Sequence, residues 1–170
     1  MATRVLAIFP EMNTAVVERF RGKWDPLAAA VPAHITIAFP FQWPGPLSTL
    51  ANALHPILTA CAAFTLELST PTVWEQEYLF LLVTDGWRQA GRLHDAIYSQ
   101  VLRGTRRPSR FIPHMTVGRQ PEEAALRVGL SEATAMNLPL TGRAQSLTVY
   151  RREEDGTRIR ELDMPLGTAP

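Results

Sequence analysis

The 170 residues include a single cysteine, Cys61, and a single lysine, Lys23. One thiol excludes an internal disulfide and a cysteine-based zinc site. Cys61 falls late in an apolar helical pattern and reads as a buried, inert thiol. No apolar run approaches the roughly 18 residues that span a bilayer. The first apolar stretch meets Pro10 after Val5-Leu6-Ala7-Ile8-Phe9, too soon for the apolar region and cleavage site of a secretory leader. No membrane association is expected, and the cytoplasm is the default location. Strong charge of one sign is missing as well: the net charge is +1 at pH 7. That argues against a histone-like or tail-type nucleic-acid binder, but not against an enzyme that grips one phosphate locally. Linkers and low-complexity stretches are also missing, so residues 1–170 are expected to form one monomeric domain.

The apolar fraction of 46% suits a globular core. Residues 5–9 read as a buried strand. Met12, Val16, Phe20 and Trp24 recur at helical spacing and predict a helix over 12–23. Residues 31–41 predict a strand closed by Pro40 and the Pro44-Gly45-Pro46 turn. Leu47, Leu50, Leu54, Leu58 and Cys61 mark a helix that Pro56 should kink or divide. Strands are expected over 64–73 and 78–84. A helix over 86–103 follows, with Asp85 as its N-cap and Trp87, Ala90, Leu93, Ile97 and Val101 as its apolar stripe. Residues 112–119 give another strand. Pro121-Glu122-Glu123 opens a helix with proline at the first helical position. Residues 138–151 and 157–164 predict a closing antiparallel pair around Asp155-Gly156. The mixture of hairpins and helices implies an α+β fold with mainly antiparallel sheets.

One pattern occurs twice, about half a chain apart: Pro32-Ala33-His34-Ile35-Thr36-Ile37 and Ile112-Pro113-His114-Met115-Thr116-Val117. In a strand, residues i and i+2 share a face. His34 therefore projects with Thr36, and His114 with Thr116, while Ile35, Ile37, Met115 and Val117 project to the apolar side. Two half-domains related by a pseudo-two-fold would turn both polar faces into one cleft. Such a cleft suits phosphoester chemistry. One neutral imidazole takes the proton of the attacking oxygen, one imidazolium protonates the leaving oxygen, and the threonine hydroxyls bind the non-bridging oxygens. The competing reading is a pair of half-buried histidines bonded to backbone. A zinc site would need a third ligand, and neither motif carries a carboxylate or cysteine on its polar face. No metal or other cofactor is expected.

At these residues the sequence resembles the two-histidine phosphoesterase superfamily, the group containing RNA 2′,3′-cyclic phosphodiesterases and 2′–5′ RNA ligase-like proteins. The matching stretches run from Val31 to Phe41 and from Ile112 to Arg119. The resemblance implies two pseudo-symmetric lobes around a central cleft, helices outside, and metal-independent chemistry on a nucleotide phosphodiester. It implies His34 and His114 as acid and base without saying which is which, and Thr36 and Thr116 as phosphate-oxygen donors. Substrates or partners would be an RNA end or a small cyclic nucleotide. The alternative is a non-catalytic nucleotide or RNA-end binder that keeps the cleft.

Further candidates lie nearby. Arg106, Arg107 and Arg110 crowd the loop before the second motif, either as a basic lip for phosphates or as solvated surface. Arg119 follows Thr116 by three residues. Strict alternation turns it away from the site unless the strand ends or bulges. Phe41 and Trp43 follow the first motif and are candidates to stack a base, with core packing or loop anchoring as the alternative. His94 reads as a core or boundary histidine.

Overall fold

A computed structural model describes residues 2–168. Twelve elements follow in the order β1 (Thr3–Ile8), α1 (Ala15–Trp24), β2 (Ile35–Gln42), α2 (Leu47–Ala60), β3 (Phe64–Trp74), β4 (Tyr78–Asp85), α3 (Trp87–Gln100), β5 (His114–Arg119), α4 (Glu123–Thr134), β6 (Leu140–Ala144), β7 (Ser146–Arg152) and β8 (Arg158–Pro165). All eight strands belong to one sheet of order β6-β3-β4-β5-β2-β1-β7-β8, and each pairing between them is antiparallel.

The order explains the internal duplication. β1-α1-β2 and β4-α3-β5 are the same unit, a strand, a helix and an antiparallel return, and the two units meet where β2 touches β5. That seam is narrow: Ile35 opposite Met115 is its single register pair. Each half is then completed by two more strands, β7 and β8 beside β1, and β3 and β6 beside β4. The helices cross over, α1 packing on β5 and α3 on β2. The core lies under them: Ile35, Ile37, Met115 and Val117 are fully buried together with Val17, Leu54, Leu93, Ile97 and Leu126 from the four helices. The opposite face of the two motif strands is left open.

The expected single strand over 138–151 is two strands. β6 pairs with β3 at one end of the sheet and β7 pairs with β1 near the other. Only Gln145 separates them, so the sheet must curl until its ends approach. Bridges from Glu11 to Arg143 and from Ala62 to Gly167 tie those ends.

Other boundaries moved for local reasons. α1 begins at Ala15 rather than residue 12, because Glu11 pairs with Arg143 and Asn13 caps the amide of Ala15 through its side chain. The first motif strand begins at Ile35, not 31, since 31–33 form its approach. Pro56 does not divide α2. It sits on the exposed side, where the carbonyl that loses its partner faces water. Cys61 lies just past that helix, half-buried, and burial pushes its thiol pKa up, as expected of an inert thiol. α3 ends at Gln100 instead of 103, and Trp87, expected on its apolar stripe, is 48% exposed. Pro121 precedes α4 by two positions, and Glu122 is the N-cap.

Nor is Asp85 the N-cap of α3. That position is Gly86, in the left-handed region at φ 80°, with Asp85 Oδ1 accepting its amide. A Cβ at Gly86 would lie 2.4 Å from the Thr65 carbonyl oxygen. Gly86→Ala is therefore expected to destabilise the protein by more than about 2 kcal/mol. The left-handed conformation alone costs a side-chain-bearing residue roughly 1–2 kcal/mol, and a backbone atom cannot swing aside. A urea midpoint unchanged from wild type would show that the loop relaxes freely.

Candidate functional site

His34 stands one residue ahead of β2, and His114 is the first residue of β5. Extending the Ile35–Met115 register by one residue each way sets His34 opposite Thr116 and Thr36 opposite His114. The four polar side chains thus form one block on the open face of the sheet, across the pseudo-two-fold. All four are half-buried, while Ile35 and Met115 between them are fully buried on the other side. The spacing expectation and the register agree.

Each imidazole is fixed in the same way. Nδ1 of His34 donates to the Pro32 carbonyl at 2.8 Å, and Nδ1 of His114 to the Ile112 carbonyl at 2.6 Å. A carbonyl only accepts, so Nδ1 carries the hydrogen in both rings. In the neutral form Nε2 then holds the lone pair, available to take a proton. Burial makes neutrality the resting state. The His34 pKa is lowered chiefly by burial, against the opposing hydrogen bond to Pro32. The His114 pKa falls to about 4, again chiefly by burial, against its bond to Ile112 and with the help of His34's charge. The burying groups are aromatic: Phe80 stacks on His114 at 3.6 Å between centroids, and Phe9 and Tyr150 flank His34 at 5.4 and 5.7 Å.

Both motif strands then bulge at the same place. Along β1, Ala7 faces Thr36 but its neighbour Leu6 faces Ala38, so Ile37 is extra. Along β4, Phe80 faces Thr116 but Leu79 faces Gly118, so Val117 is extra. Each bulge reverses the alternation beyond it. Phe39 and Arg119, three residues past their threonines, consequently turn to the open face and line the cleft. Arg119 meets the stated condition for reaching the site. There its Nη2 pairs with Glu77 at 2.6 Å, and its guanidinium lies over the Tyr78 ring.

The cleft has two chambers that share Thr36, Phe39, Tyr78 and Thr116. The chamber beside His114 measures about 750 Å³ and is walled by Trp74, Phe80, Arg106, Arg107 and Arg110 among others. The arginine loop is thus at the site, with Arg107 also paired to Asp95. The chamber beside His34 measures about 320 Å³ and holds Arg119, Tyr150, Arg152 and Arg158. Phe41 and Trp43 are not at either. A second register shift, between Leu6 opposite Ala38 and Arg4 opposite Phe41, returns Phe41 to the apolar face, where it is 5% exposed in the core. Trp43 packs beside that core and donates its indole N–H to Thr49. The aromatic rings in the cleft are Phe39, Trp74, Tyr78, Phe80 and Tyr150 instead.

Two supporting groups escaped the sequence reading. Buried Arg21, 2% exposed, bonds Glu18, Asp25 and the Val31 carbonyl, while Glu18 accepts the Ala33 amide. The approach to His34 is thereby pinned to α1. Glu18, Arg21 and Asp25 share one helix face by their i, i+3, i+7 spacing, a signal present in the sequence. The second group serves the first bulge. The Ile37 carbonyl accepts from His94 Nδ1 at 2.7 Å, and the Phe39 amide donates to the Tyr98 hydroxyl at 3.2 Å. These side chains of α3 satisfy backbone groups that the β1–β2 register shift leaves irregular. His94 is fully buried, stacked on Phe111, a core histidine as expected. Among the described residues no three histidine, cysteine, aspartate or glutamate side chains converge as a metal site.

Comparison with known proteins identifies the family and the fold. The sequence profile of the 2′-5′ RNA ligase superfamily matches residues 9–156. Direct comparison with curated protein sequences gives no match. Among solved structures, E. coli LigT in complex with 3′-AMP superposes with a TM-score of 0.63 at 18% identity, over 97% of this chain and 98% of that one. A structure described as a phosphoesterase gives 0.62 at 19% identity, over 99% and 100%. E. coli LigT with NADP+ gives 0.59 at 20% identity, over 97% and 98%. With a family profile matched over most of its length and a fold shared from end to end, the chain belongs to the 2′-5′ RNA ligase superfamily, a superfamily of phosphoesterases.

Proposed function

We propose that the protein is a metal-independent phosphodiesterase that opens the 2′,3′-cyclic phosphate of an RNA end or nucleotide, with His34 and His114 as the proton carriers. The observation that carries this reading is the matched pair of imidazoles, each with Nδ1 bonded to a carbonyl and Nε2 left free beside a threonine across the seam. A half-buried structural histidine has no need of such a twin. One Nε2 takes the proton of the attacking water as that water adds to phosphorus. The other, protonated, gives its hydrogen to the departing ribose oxygen. Thr36 and Thr116 donate to the non-bridging oxygens as charge builds on them. The solved complexes of E. coli LigT with 3′-AMP and with NADP+ are consistent with a nucleotide in this cleft, and Phe39, Trp74 and Tyr78 offer faces for its base.

The test is to incubate the pure, folded protein with 2′,3′-cyclic nucleotides and with a short RNA ending in a cyclic phosphate, following product by phosphorus NMR. Turnover of either supports the reading. Absence of turnover on both, with binding retained, converts it to a nucleotide or RNA-end binder. Catalysis is also expected to survive EDTA, because protonation of the leaving oxygen replaces its stabilisation by a metal. Loss of activity in chelator that a divalent cation restores would instead indicate a metallophosphoesterase.

A further inference from the structure

The strands β1, β7 and β8 bring several arginines to one end of the sheet, and they are not alike. Arg4 is bonded to Glu161, Arg151 to Glu153 and Glu161, and Arg160 to Asp163. Arg152 and Arg158 meet no carboxylate among the described residues, although they face each other directly across the hairpin. Like charges in such a pair repel and weaken the sheet. The protein nevertheless places both in the chamber that contains His34, Thr36 and Thr116. The other charges of that chamber are already engaged: Asp25 is held by Arg21 and Arg119 by Glu77. The unmatched charge therefore belongs to Arg152 and Arg158. Arg158 is half-buried, and its pKa is lowered first by burial and then by Arg152's charge. A guanidinium remains charged under such a shift.

We infer that Arg152 and Arg158, with Tyr150 as the chamber's floor beside His34, form a second anion subsite that takes a further phosphate of the substrate. This rests on the reading that the histidines act on a 2′,3′-phosphate. The next phosphate along a nucleotide is then the one on its 5′ oxygen. It has two sources, the 5′-phosphate of a mononucleotide or the backbone phosphodiester of an RNA end. The recognising chemistry is the same for both: two planar guanidinium forks and the oxygens of one phosphate. The preferred substrate carries that phosphate, and a bare nucleoside 2′,3′-cyclic phosphate is a poorer one.

Calorimetric titration with product-like ligands tests this without requiring turnover. The ligands are 3′-AMP, adenosine 3′,5′-bisphosphate and a 3′-phosphorylated diadenylate, all at one ionic strength. The wild-type protein is expected to bind at least one of the last two about tenfold or more tightly than 3′-AMP, the scale of an added charge-assisted bidentate contact. A gain for the bisphosphate alone assigns the mononucleotide source, and a gain for the diadenylate assigns the RNA end. In the Arg152→Gln/Arg158→Gln protein the gain should shrink to about twofold or less. The charge-matched Arg88→Gln/Arg127→Gln protein, altered away from the cleft, should keep it. Equal affinity of the wild type for all three ligands overturns the subsite. So does loss of the gain on Arg106→Gln/Arg110→Gln with retention in Arg152→Gln/Arg158→Gln, since the second phosphate then lies in the other chamber. Discrimination without any turnover of cyclic phosphates would retire the hydrolase reading while leaving the subsite standing.

Discussion

Replacing either His34 or His114 by alanine lowers kcat/KM on a cyclic phosphate by roughly 10²–10⁴-fold, the usual worth of a positioned acid or base. Both losses are expected because the register makes the two rings equivalent: each has Nδ1 on a carbonyl and each faces the other motif's threonine. The double mutant should lose far less than the product of the two single losses. Once one proton carrier is gone the transfer sequence is broken, and the second has little left to contribute. Thr36→Val and Thr116→Val should cost less than either histidine change, since each removes one hydrogen bond to phosphate and spares the proton carriers. The change should appear mainly in kcat, because charge on the non-bridging oxygens grows towards the transition state. Folding is checked separately by thermal melting, as His114 stacks on Phe80 and its removal opens space against that ring. A His34→Ala or His114→Ala protein that melts like wild type and keeps near-full activity would make that histidine structural and sink the two-histidine mechanism.

How much of this could be read from the chain alone depends on whether the cause was local. The motif pair was legible because the i, i+2 rule needs no partner strand. His34 with Thr36, and His114 with Thr116, came out on one face, with Ile35, Ile37, Met115 and Val117 on the other. The hidden features depend on contacts far away in sequence. The bulges at Ile37 and Val117 exist only relative to β1 and β4. The first puts Phe39 into the cleft, and a second shift between Ala38 and Phe41 returns Phe41 to the core, so that core packing, not base stacking, is the outcome there. Arg119 was legible only as a condition. Likewise the run from 138 to 151 shows no break at Gln145, because β6 and β7 are separated by their partners and not by a turn residue. The helices were legible in number and face. Their ends were set by pairings such as Glu11 with Arg143 and by the left-handed Gly86. The Glu18-Arg21-Asp25 cluster is a different case: its spacing was in plain view, but nothing local says that Arg21 is buried or that it reaches the Val31 carbonyl ten residues on.

The pH dependence of catalysis is expected to differ sharply between the free and the substrate-bound protein. The proposed mechanism needs one imidazole neutral and one protonated. Burial disfavours the imidazolium, so both pKa values lie below the ordinary 6.5, His114's at about 4. In the empty cleft at pH 7 both rings are therefore neutral, and the acid is missing. The profile of kcat/KM reports free-protein groups. Its optimum should fall below pH 6.5, between two apparent values that belong to the coupled pair rather than to either ring, and its alkaline limb should drop tenfold per pH unit. An arriving phosphate carries negative charge between the rings and favours protonation, which raises the pKa of the acid. The optimum of kcat should consequently lie at higher pH than that of kcat/KM. The same linkage predicts that binding of 3′-AMP at pH 7 takes up a fraction of a proton, up to one. Titration calorimetry in buffers of different ionisation enthalpy reads that uptake directly. Proton release on binding, or a kcat/KM profile flat from pH 5 to 8, would mean that the buried rings do not change charge in the cycle. A cleft that supplies its acid only when phosphate is present would also protonate little else, since an uncharged ligand brings nothing to offset the cost of a buried imidazolium. On the proposed mechanism, the burial that keeps both imidazoles neutral at rest thereby makes the phosphate itself a condition for its own cleavage.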